Sequence, residues 1–515
     1  MTKKFLIITF LSMVACSAFA GGLLTNTNQS AHFLRNPALD ASTEIDAVYT
    51  NPAGLIFLTD GFHLSLSNQS AFQTRTIVST FEGYKYADVN NGSTTKLFKG
   101  EASAPLIPSF QFAYKKGKYA FSTSFAVTGG GGKATFNEGL SSFESQVAKT
   151  PISLNASGVP TTGYSLQSYM EGSQFIFGWQ INGSYKINDN FSGALGMRLN
   201  IVSSKYEGYL RNMKFTVGGN NLTVNQLYST LSASAATTAT NLGALPATYT
   251  IGQLVTAGYL TTDKATSLSK GLGKDVTAMT VAQVQAGYTA TAASYSAAAN
   301  TNQDKELNCS QTGWGVTPII GIDYHINNLN LAAKYEFRTA LNIQNDTKVN
   351  TTGVAAYDDG VNTPQDIPAL LTLGAEYQLS EKWKVSGGYH HFFDSEAKMA
   401  NNKQQYINGG VNEYLLGSEY QLTDMFLISA GGQITRTGVT DAYQTDMSYS
   451  LNSYSIGFGG AIKITPDLRL NLSYFFTNYD KWTKVSTNYN GTTLAGTDVY
   501  NRTNKVFGIG LEYKF

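Results

Sequence analysis

Charge is what this chain of 515 residues lacks most: 14% of it is Asp, Glu, Lys or Arg, against about 25% in an ordinary soluble domain. So few ionic groups cannot cover a water-facing surface of this size, and part of that surface must face something other than water. A basic excess is missing as well. The 36 basic residues meet 35 acidic ones, the net charge is +1, and the only lysine runs are Lys3-Lys4 and residues 115–118, which excludes nucleic-acid binding. No apolar run reaches the roughly 18 residues of a membrane-crossing helix, so a helical transporter is excluded. Global disorder fails for the opposite reason, because 42% of the chain is apolar and its charges nearly cancel.

Catalytic patterns are also missing. There is no Gly-x-Ser-x-Gly, His-Glu-x-x-His or Cys-x-x-Cys, and none of the five histidines (His32, His63, His325, His390, His391) stands in a motif with a serine nucleophile. His390 and His391 point to opposite faces of a strand and cannot share a metal from one wall. These absences leave no enzyme, metal site or cofactor to expect. Cysteine is nearly absent, with Cys16 and Cys309 alone.

What is present begins with an export signal. Lys3-Lys4, an apolar stretch over residues 5–14 and the small-residue site Ala18-Phe19-Ala20 read as a signal peptide over residues 1–20. A lipoprotein signal on Cys16 is the rival, and Met13-Val14-Ala15 matches its usual box poorly. Cleavage after Ala20 leaves Cys309 alone, so rigidity has to come from backbone pairing and not from a disulfide.

The C-terminus sets the architecture. Phe507, Ile509, Leu511, Tyr513 and Phe515 alternate with Gly508, Gly510, Glu512 and Lys514, the period of two of a strand with one apolar and one polar face. The same phrase recurs as Gly321-Ile-Asp-Tyr-His-Ile326, Gly374-Ala-Glu-Tyr-Gln-Leu379 and Gly417-Ser-Glu-Tyr-Gln-Leu422, each followed by a polar turn and a further alternating run. Tight turns at 115–118, 186–190, 325–329, 379–383, 421–425 and 464–468 make six hairpins; strands at 61–77 and 501–515 bring the count to fourteen. Short turns at one rim, long loops at the other and an even strand number predict an all-β, fourteen-stranded antiparallel barrel over residues 59–515, closed on itself because a membrane leaves no backbone group unpaired. A secreted sandwich would alternate too, but would not explain the terminal aromatic or the unequal loops.

The longest connection, 212–312, turns rich in Ala, Thr and Ser. Thr250 stands before Ile251, Leu254, Val255 and Leu260, and Thr280 before Val281, Val284 and Tyr288, so each threonine reads as the N-cap of a short amphipathic helix. This loop is either a shield over the barrel or a cap that gathers apolar ligand.

Residues 21–58 show no alternation. They contain Asn28-Gln29-Ser30-Ala31 and the run from Asp46 through Tyr49 to Asn51-Pro52-Ala53-Gly54-Leu55, in which proline favours an extended Asn51 and Gly54 is free to take a positive φ. On these stretches, the strand count and the terminal aromatic, the chain resembles the FadL/TodX family of outer-membrane transporters. The resemblance implies that residues 21–58 form a hatch inside the barrel, gated at Asn51, Pro52, Ala53 and Gly54. It also implies passive uptake of a hydrophobic small molecule, long-chain fatty acids foremost, in the outer membrane of a Gram-negative bacterium. The partners expected are that ligand, membrane lipid and the barrel-assembly machinery, which would read Tyr513 and Phe515 on a single copy of the chain. A general diffusion porin and a surface adhesin or receptor are the alternatives.

Alternation gives candidate lumen groups. Outward Leu329, Leu331, Tyr335, Phe337 and Leu341 put Lys334, Glu336 and Arg338 inside, with Arg198 and Arg75 from other strands. Arg75, Arg198, Lys334 and Arg338 could each hold a ligand carboxylate; alternatively Lys334 and Arg338 pair with Glu336 and hold the hatch. The run Gly129-Gly130-Gly131-Gly132 before Lys133 cannot form a stiff straight strand, and Ala134 rules out a phosphate loop. It is either a flexible surface loop or, by the resemblance, a kink that opens the wall sideways into the membrane.

Overall fold

Strict alternation demands one face toward lipid and one toward a lumen, and the computed structural model, which describes residues 23–515, builds both. The expected signal peptide lies outside the described residues. The strands are β1 (Gly61–Phe81), β2 (Thr95–Lys116), β3 (Tyr119–Phe136), β4 (Thr161–Lys186), β5 (Phe191–Val217) and β6 (Lys305–Ile326). Then follow β7 (Leu329–Glu336, resumed at Asn342–Asn350), β8 (Asn362–Pro364, resumed at Leu370–Ser380), β9 (Trp383–Phe392), β10 (Val411–Gln421), β11 (Phe426–Arg436), β12 (Ser453–Thr465), β13 (Leu468–Tyr479) and β14 (Gly496–Lys514). Each pairs antiparallel with its neighbours, and β14 returns to β1 from His63↔Lys514 to Phe81↔Gly496, closing fourteen strands. Two short segments, Asn220–Thr223 and Trp482–Ser486, pair only at the long-loop rim.

All six expected tight turns lie between consecutive strands at one rim. On β14 the outward side chains Phe507, Ile509, Leu511 and Tyr513 are 42–51% exposed, while inward Asn504 and Val506 are at most 1% exposed. With Trp179, Leu195, Trp314 and Leu416 they form a continuous apolar band far larger than water tolerates. Inward positions carry Ser67, Gln69, Gln180, Asn182, Asn330 and Asn471, all buried.

The wall is uneven in height. β4 and β5 have 26 and 27 residues while β9 has 10, and about 9–11 tilted residues cross a bilayer. The tall side carries the long insertion, and here the expected bounds shift. β5 pairs with β6 up to Leu210↔Lys305 and continues to Val217, so residues 212–217 and 305–312 belong to the wall and the insertion spans 218–304. Above the membrane the outward residues of β5 become Lys205, Glu207 and Arg211, which ends the apolar alternation although pairing goes on.

The insertion folds into α3 (Val224–Gly243), α4 (Ile251–Thr256), α5 (Thr262–Leu272) and α6 (Val281–Thr301) around Leu242, Ile251, Leu254, Val276 and Val284. Thr250 and Thr280 are the N-caps, each reciprocated by a glutamine three residues on; Thr223 does the same for α3. Two earlier helices carry no strong sequence signal: α1 (Ala31–Arg35) in the lumen and α2 (Ser141–Ala156), which fills the long-loop mouth with Phe143 and Val147 against Tyr84 and Tyr164.

The break in β7 corrects two placements. Leu341, expected outward, is 3% exposed on the inside, and Arg338, expected in the lumen, is exposed and bonded to Asp366 at 2.8 Å. Within the break Thr339, not Arg338, turns inward onto Thr317, so the period of two restarts out of phase.

Phe515 completes the closure. Its N–H donates to Phe62 O at 3.0 Å, its carbonyl accepts from Phe62 N at 2.9 Å, and its ring lies 5.7 Å from that of Phe62. Deleting Phe515 removes the last pair of the seam and is expected to reduce the heat-modifiable, membrane-inserted fraction severalfold. An unchanged fraction on semi-native gels would refute the role of this terminus in assembly.

Candidate functional site

A barrel of fourteen strands is wider than about eight strands' worth of side chains can fill, so its lumen leaks unless something occupies it. Residues 23–58 do, and their local structure follows from small polar signals. Ser30 caps α1 by accepting from Phe33 N at 3.1 Å. Asn51 is extended, as the following proline requires, and caps the 3₁₀ turn Pro52–Phe57 by accepting from Ala53 N; its amide donates to Ile322 O of β6 at 2.9 Å. Ser184 and Ser192 reach Pro52 O and Ala53 O at 2.6 and 2.8 Å. Gly54 does not have the positive φ its residue type suggested. It is needed because a Cβ would stand 2.3 Å from Ser42 O, within the fold of the hatch itself.

The wall receives the hatch on glycine. Gly321, Gly374, Gly388, Gly417, Gly431 and Gly457 lie on β6 and on β8 to β12, none with a left-handed backbone, and a Cβ at any of them would come within 3 Å of a hatch atom. The facing atoms belong to Asn51, Ala41, Asp40, Asn36, Pro37 and Leu34. The hatch therefore rests against the sheet backbone.

Buried charges fasten it. Glu419 of β10 accepts from Arg35, lies 2.8 Å from His32 Nε2 and 3.1 Å from Lys384, while His32 Nδ1 meets Asp46 at 2.7 Å. His390 sits between Asp40 of the hatch and Glu413, both at 2.9 Å, and Arg469 bridges Glu44 and Glu512. His32, Asp46 and Glu512 bring possible metal-ligand atoms within 4.8 Å of one another, but all three are already committed to this network. None of these hatch ions was among the residues that alternation brought forward, and His32 was named only as a histidine outside any catalytic motif; their signal is a cluster of ionic residues from Arg35 to Asp46 in a charge-poor chain.

The expected lumen cations are distributed unequally. Arg198 grips Glu336 with both terminal nitrogens at 2.7 and 2.8 Å and lies 4.7 Å from the Tyr49 ring centroid. Lys334 shares Glu336 at 2.7 Å and donates to Tyr49 O at 3.2 Å. Both are thus engaged by one carboxylate and by the hatch. Arg75 donates to Gln73 at 2.8 Å and faces Arg502 across the β1–β14 seam, with Tyr449 over both.

The glycine run marks a gap in the wall. β2 and β3 pair up to Ser103↔Lys133 and again from Phe110↔Phe125, with no pairing between. In that interval β3 pairs with the hatch instead: Asn26 N donates to Thr128 O at 2.8 Å, its amide donates to Gly130 O at 2.9 Å, and Thr25 bridges Gly129. Gly130 has φ +64° and Gly129 touches Leu24 O, so a side chain is excluded at both. Gly132 pairs with Gln174 of β4 just beyond a second register shift. The run lies within the paired wall and is not a surface loop. Opposite it Pro105 and Pro108 have no N–H to leave unpaired, and Asn68 accepts from Ile107 N at 3.0 Å. Ala104, Ile107 and Val127 pack with Leu34 of the hatch and with Phe175 and Phe177 in one buried apolar cluster at the gap, and Leu106, 71% exposed, stands at its lipid side.

Gly417→Val should unseat the hatch without opening the barrel. The expected result is raised susceptibility to large hydrophilic antibiotics with normal heat-modifiable mobility; equal susceptibility would refute the close-contact account. Glu336→Gln strands two buried cations and should cost about 3–5 kcal/mol against thermal or denaturant unfolding.

No family model and no curated protein sequence matches this chain. Its fold does match solved structures. A Pseudomonas aeruginosa FadL homologue aligns over 96% of this chain and 100% of its own, with TM-score 0.57 and 13% identity. The P. putida toluene transporter TodX aligns over 92% and 94%, with TM-score 0.48 and 15% identity, and the CymD monoaromatic hydrocarbon channel over 95% and 99%, with TM-score 0.47 and 11% identity.

Proposed function

We propose that this chain, which has the fold of the FadL/TodX outer-membrane transporters, admits hydrophobic compounds passively from the long-loop side and releases them sideways through the gap between β2 and β3. Long-chain fatty acids are the substrates we favour. The observation that carries this reading is the gap itself, where two strands of a closed sheet part and the surface that joins lumen to lipid is apolar. A molecule that partitions into hydrocarbon gains by leaving along that surface, whereas a sugar would be stripped of water there.

The hatch supports the same reading. Through Thr25, Asn26 and Gln29 it supplies the hydrogen bonds that β3 does not receive from β2, so the plug and the gap form one structural unit. A shift of residues 23–29 would act directly on the edge of the gap. Asn51, Pro52 and Ala53 anchor the far end of the hatch to β4, β5 and β6, and Gly54 lets that turn close on Ser42, which suits the four to hold the plug while its first residues move. A diffusion porin for hydrophilic solutes has no use for a lumen packed in this way.

Gly130→Val should straighten or block the gap. Fatty-acid uptake by cells or proteoliposomes is expected to fall at least tenfold while folding is retained; undiminished uptake would end the lateral route. Rapid sugar-driven swelling of liposomes carrying the parent protein would favour a porin instead. Removal of 218–304 with loss of surface binding but intact uptake would assign that insertion to adhesion.

A further inference from the structure

The repeated phrase Gly-x-Glu/Asp-Tyr sets one acid on the inward face of each of four strands, and the four acids are not compensated alike. Glu419 holds Arg35, His32 and Lys384, and Glu512 holds Arg469 and accepts from Asn471 at 2.7 Å. Asp323 of β6 is 1% exposed and has no ion-pair partner among the described residues. Glu376 of β8, its side chain 13% exposed, has Lys384 at 3.3 Å, but that one lysine also serves Glu419 at 3.1 Å and Glu44 at 3.5 Å.

Asn330 of β7 stands between these two acids. It is directly opposite Glu376 in the β7–β8 register and diagonal to Asp323, which pairs with Ala332. Its amide nitrogen donates to Asp323 Oδ2 at 3.0 Å and to Ala41 O of the hatch at 2.8 Å, two contacts that only the nitrogen end of the amide can make. The oxygen, at the other corner, has Glu376 as its cross-strand neighbour. Asn330 Oδ1, Asp323 Oδ1 and Glu376 Oε2 are buried, and none of them accepts a hydrogen bond; Asn330 as a whole is 3% exposed. An acceptor buried without a donor forfeits its hydration, and a carboxylate without a counter-charge forfeits more. A proton on Glu376 could satisfy Asn330 Oδ1, yet it would leave Asp323 bare. A monovalent cation would compensate one acid of the two. Calcium suits the set, because it takes about six to eight oxygen ligands in flexible geometry, whereas magnesium demands a near-ideal octahedron and zinc favours nitrogen and sulfur.

We propose that Asp323, Asn330 and Glu376 bind one calcium ion just inside the short-turn rim, with water completing its shell. Asn330 belongs to the second residue pair beyond the turn at 327–328, which keeps the site close to that rim. Because Asn330 also carries Ala41 O, the ion braces β6, β7 and β8 against the hatch. The assignment is independent of which molecule the barrel admits.

The test uses the full-length barrel in neutral detergent, stripped with a chelator and titrated with Ca²⁺ by calorimetry, with the temperature of the heat-modifiable transition read at each concentration. One Ca²⁺ per chain is expected, and it should raise that temperature because the ion binds the folded barrel and not the unfolded chain. Asp323→Asn and Glu376→Gln should each weaken Ca²⁺ roughly tenfold or more, since calcium affinity follows the charge of its ligands, and the double variant should lose both the binding and the thermal gain. Asp424→Asn, in an exposed turn at the same rim, should change neither. Heat-modifiable mobility checks that each variant is folded, and the single variants carry the comparison if the double one is not. A parent that binds no Ca²⁺ would overturn the site, as would Ca²⁺ bound equally by the parent and the acid variants, the result that residual lipopolysaccharide would give. Tighter binding of Zn²⁺ than of Ca²⁺ would overturn calcium in favour of a site that includes His325, whose Nδ1 is also without a partner.

Discussion

Peptide N–H and C=O groups at membrane depth have no water to turn to, and each one left unpaired costs several kcal/mol. The closed ring of fourteen strands answers that constraint, and its seam runs to the last residue because Phe515 still has a partner in Phe62. The departures from plain pairing answer it too. Where β3 leaves β2, residues of the hatch take over its hydrogen bonds, and where β7 breaks, Thr339 pairs across to Ile367 and Phe337 N finds Pro318 O. On the β2 side of the gap two prolines have no N–H to pair, and Asn68 accepts from the N–H of Ile107 between them.

Charge follows from the same economy of partners. A lumen lined by serine, glutamine and asparagine could hold a neutral plug, yet this plug buries Arg35, Asp40 and Asp46 and half-buries Glu44. Each buried ion costs several kcal/mol in lost hydration and is tolerated only with close counter-charges and further hydrogen bonds, which Glu419, His390 and Arg469 provide. Such pairs add little net stability but penalise any misplaced docking, so they fix the plug in one position.

Much of this was legible in the chain. Period two in Phe507 to Phe515 and the six polar turns gave the strands and their order, because lipid outside and polar lumen inside impose the alternation directly. Thr250 and Thr280 gave two helices through cap chemistry that is local in sequence. Arg338 and Leu341 were misplaced because a strand break resets the phase and no residue type announces it. The repeated phrase Gly-x-Glu/Asp-Tyr held more than its periodicity. Gly321, Gly374, Gly417 and Gly510 are the positions that touch the hatch, and the acids two residues on, Asp323, Glu376, Glu419 and Glu512, face the lumen from four strands. That meaning depends on which backbone lies opposite, and separation along the chain hides it.

The mounting of the plug is lopsided. Toward β8–β13 its middle residues are held by ion pairs and by a glycine bed, while toward β1–β6 residues 25–31 and 48–53 are held mainly by uncharged hydrogen bonds, each worth about 1 kcal/mol net. A part fixed on one flank and loosely stitched on the other does not lift out like a cork; it peels. The stitches at Thr25 and Asn26 border the gap, so any displacement of these two residues would be felt where the wall is already parted.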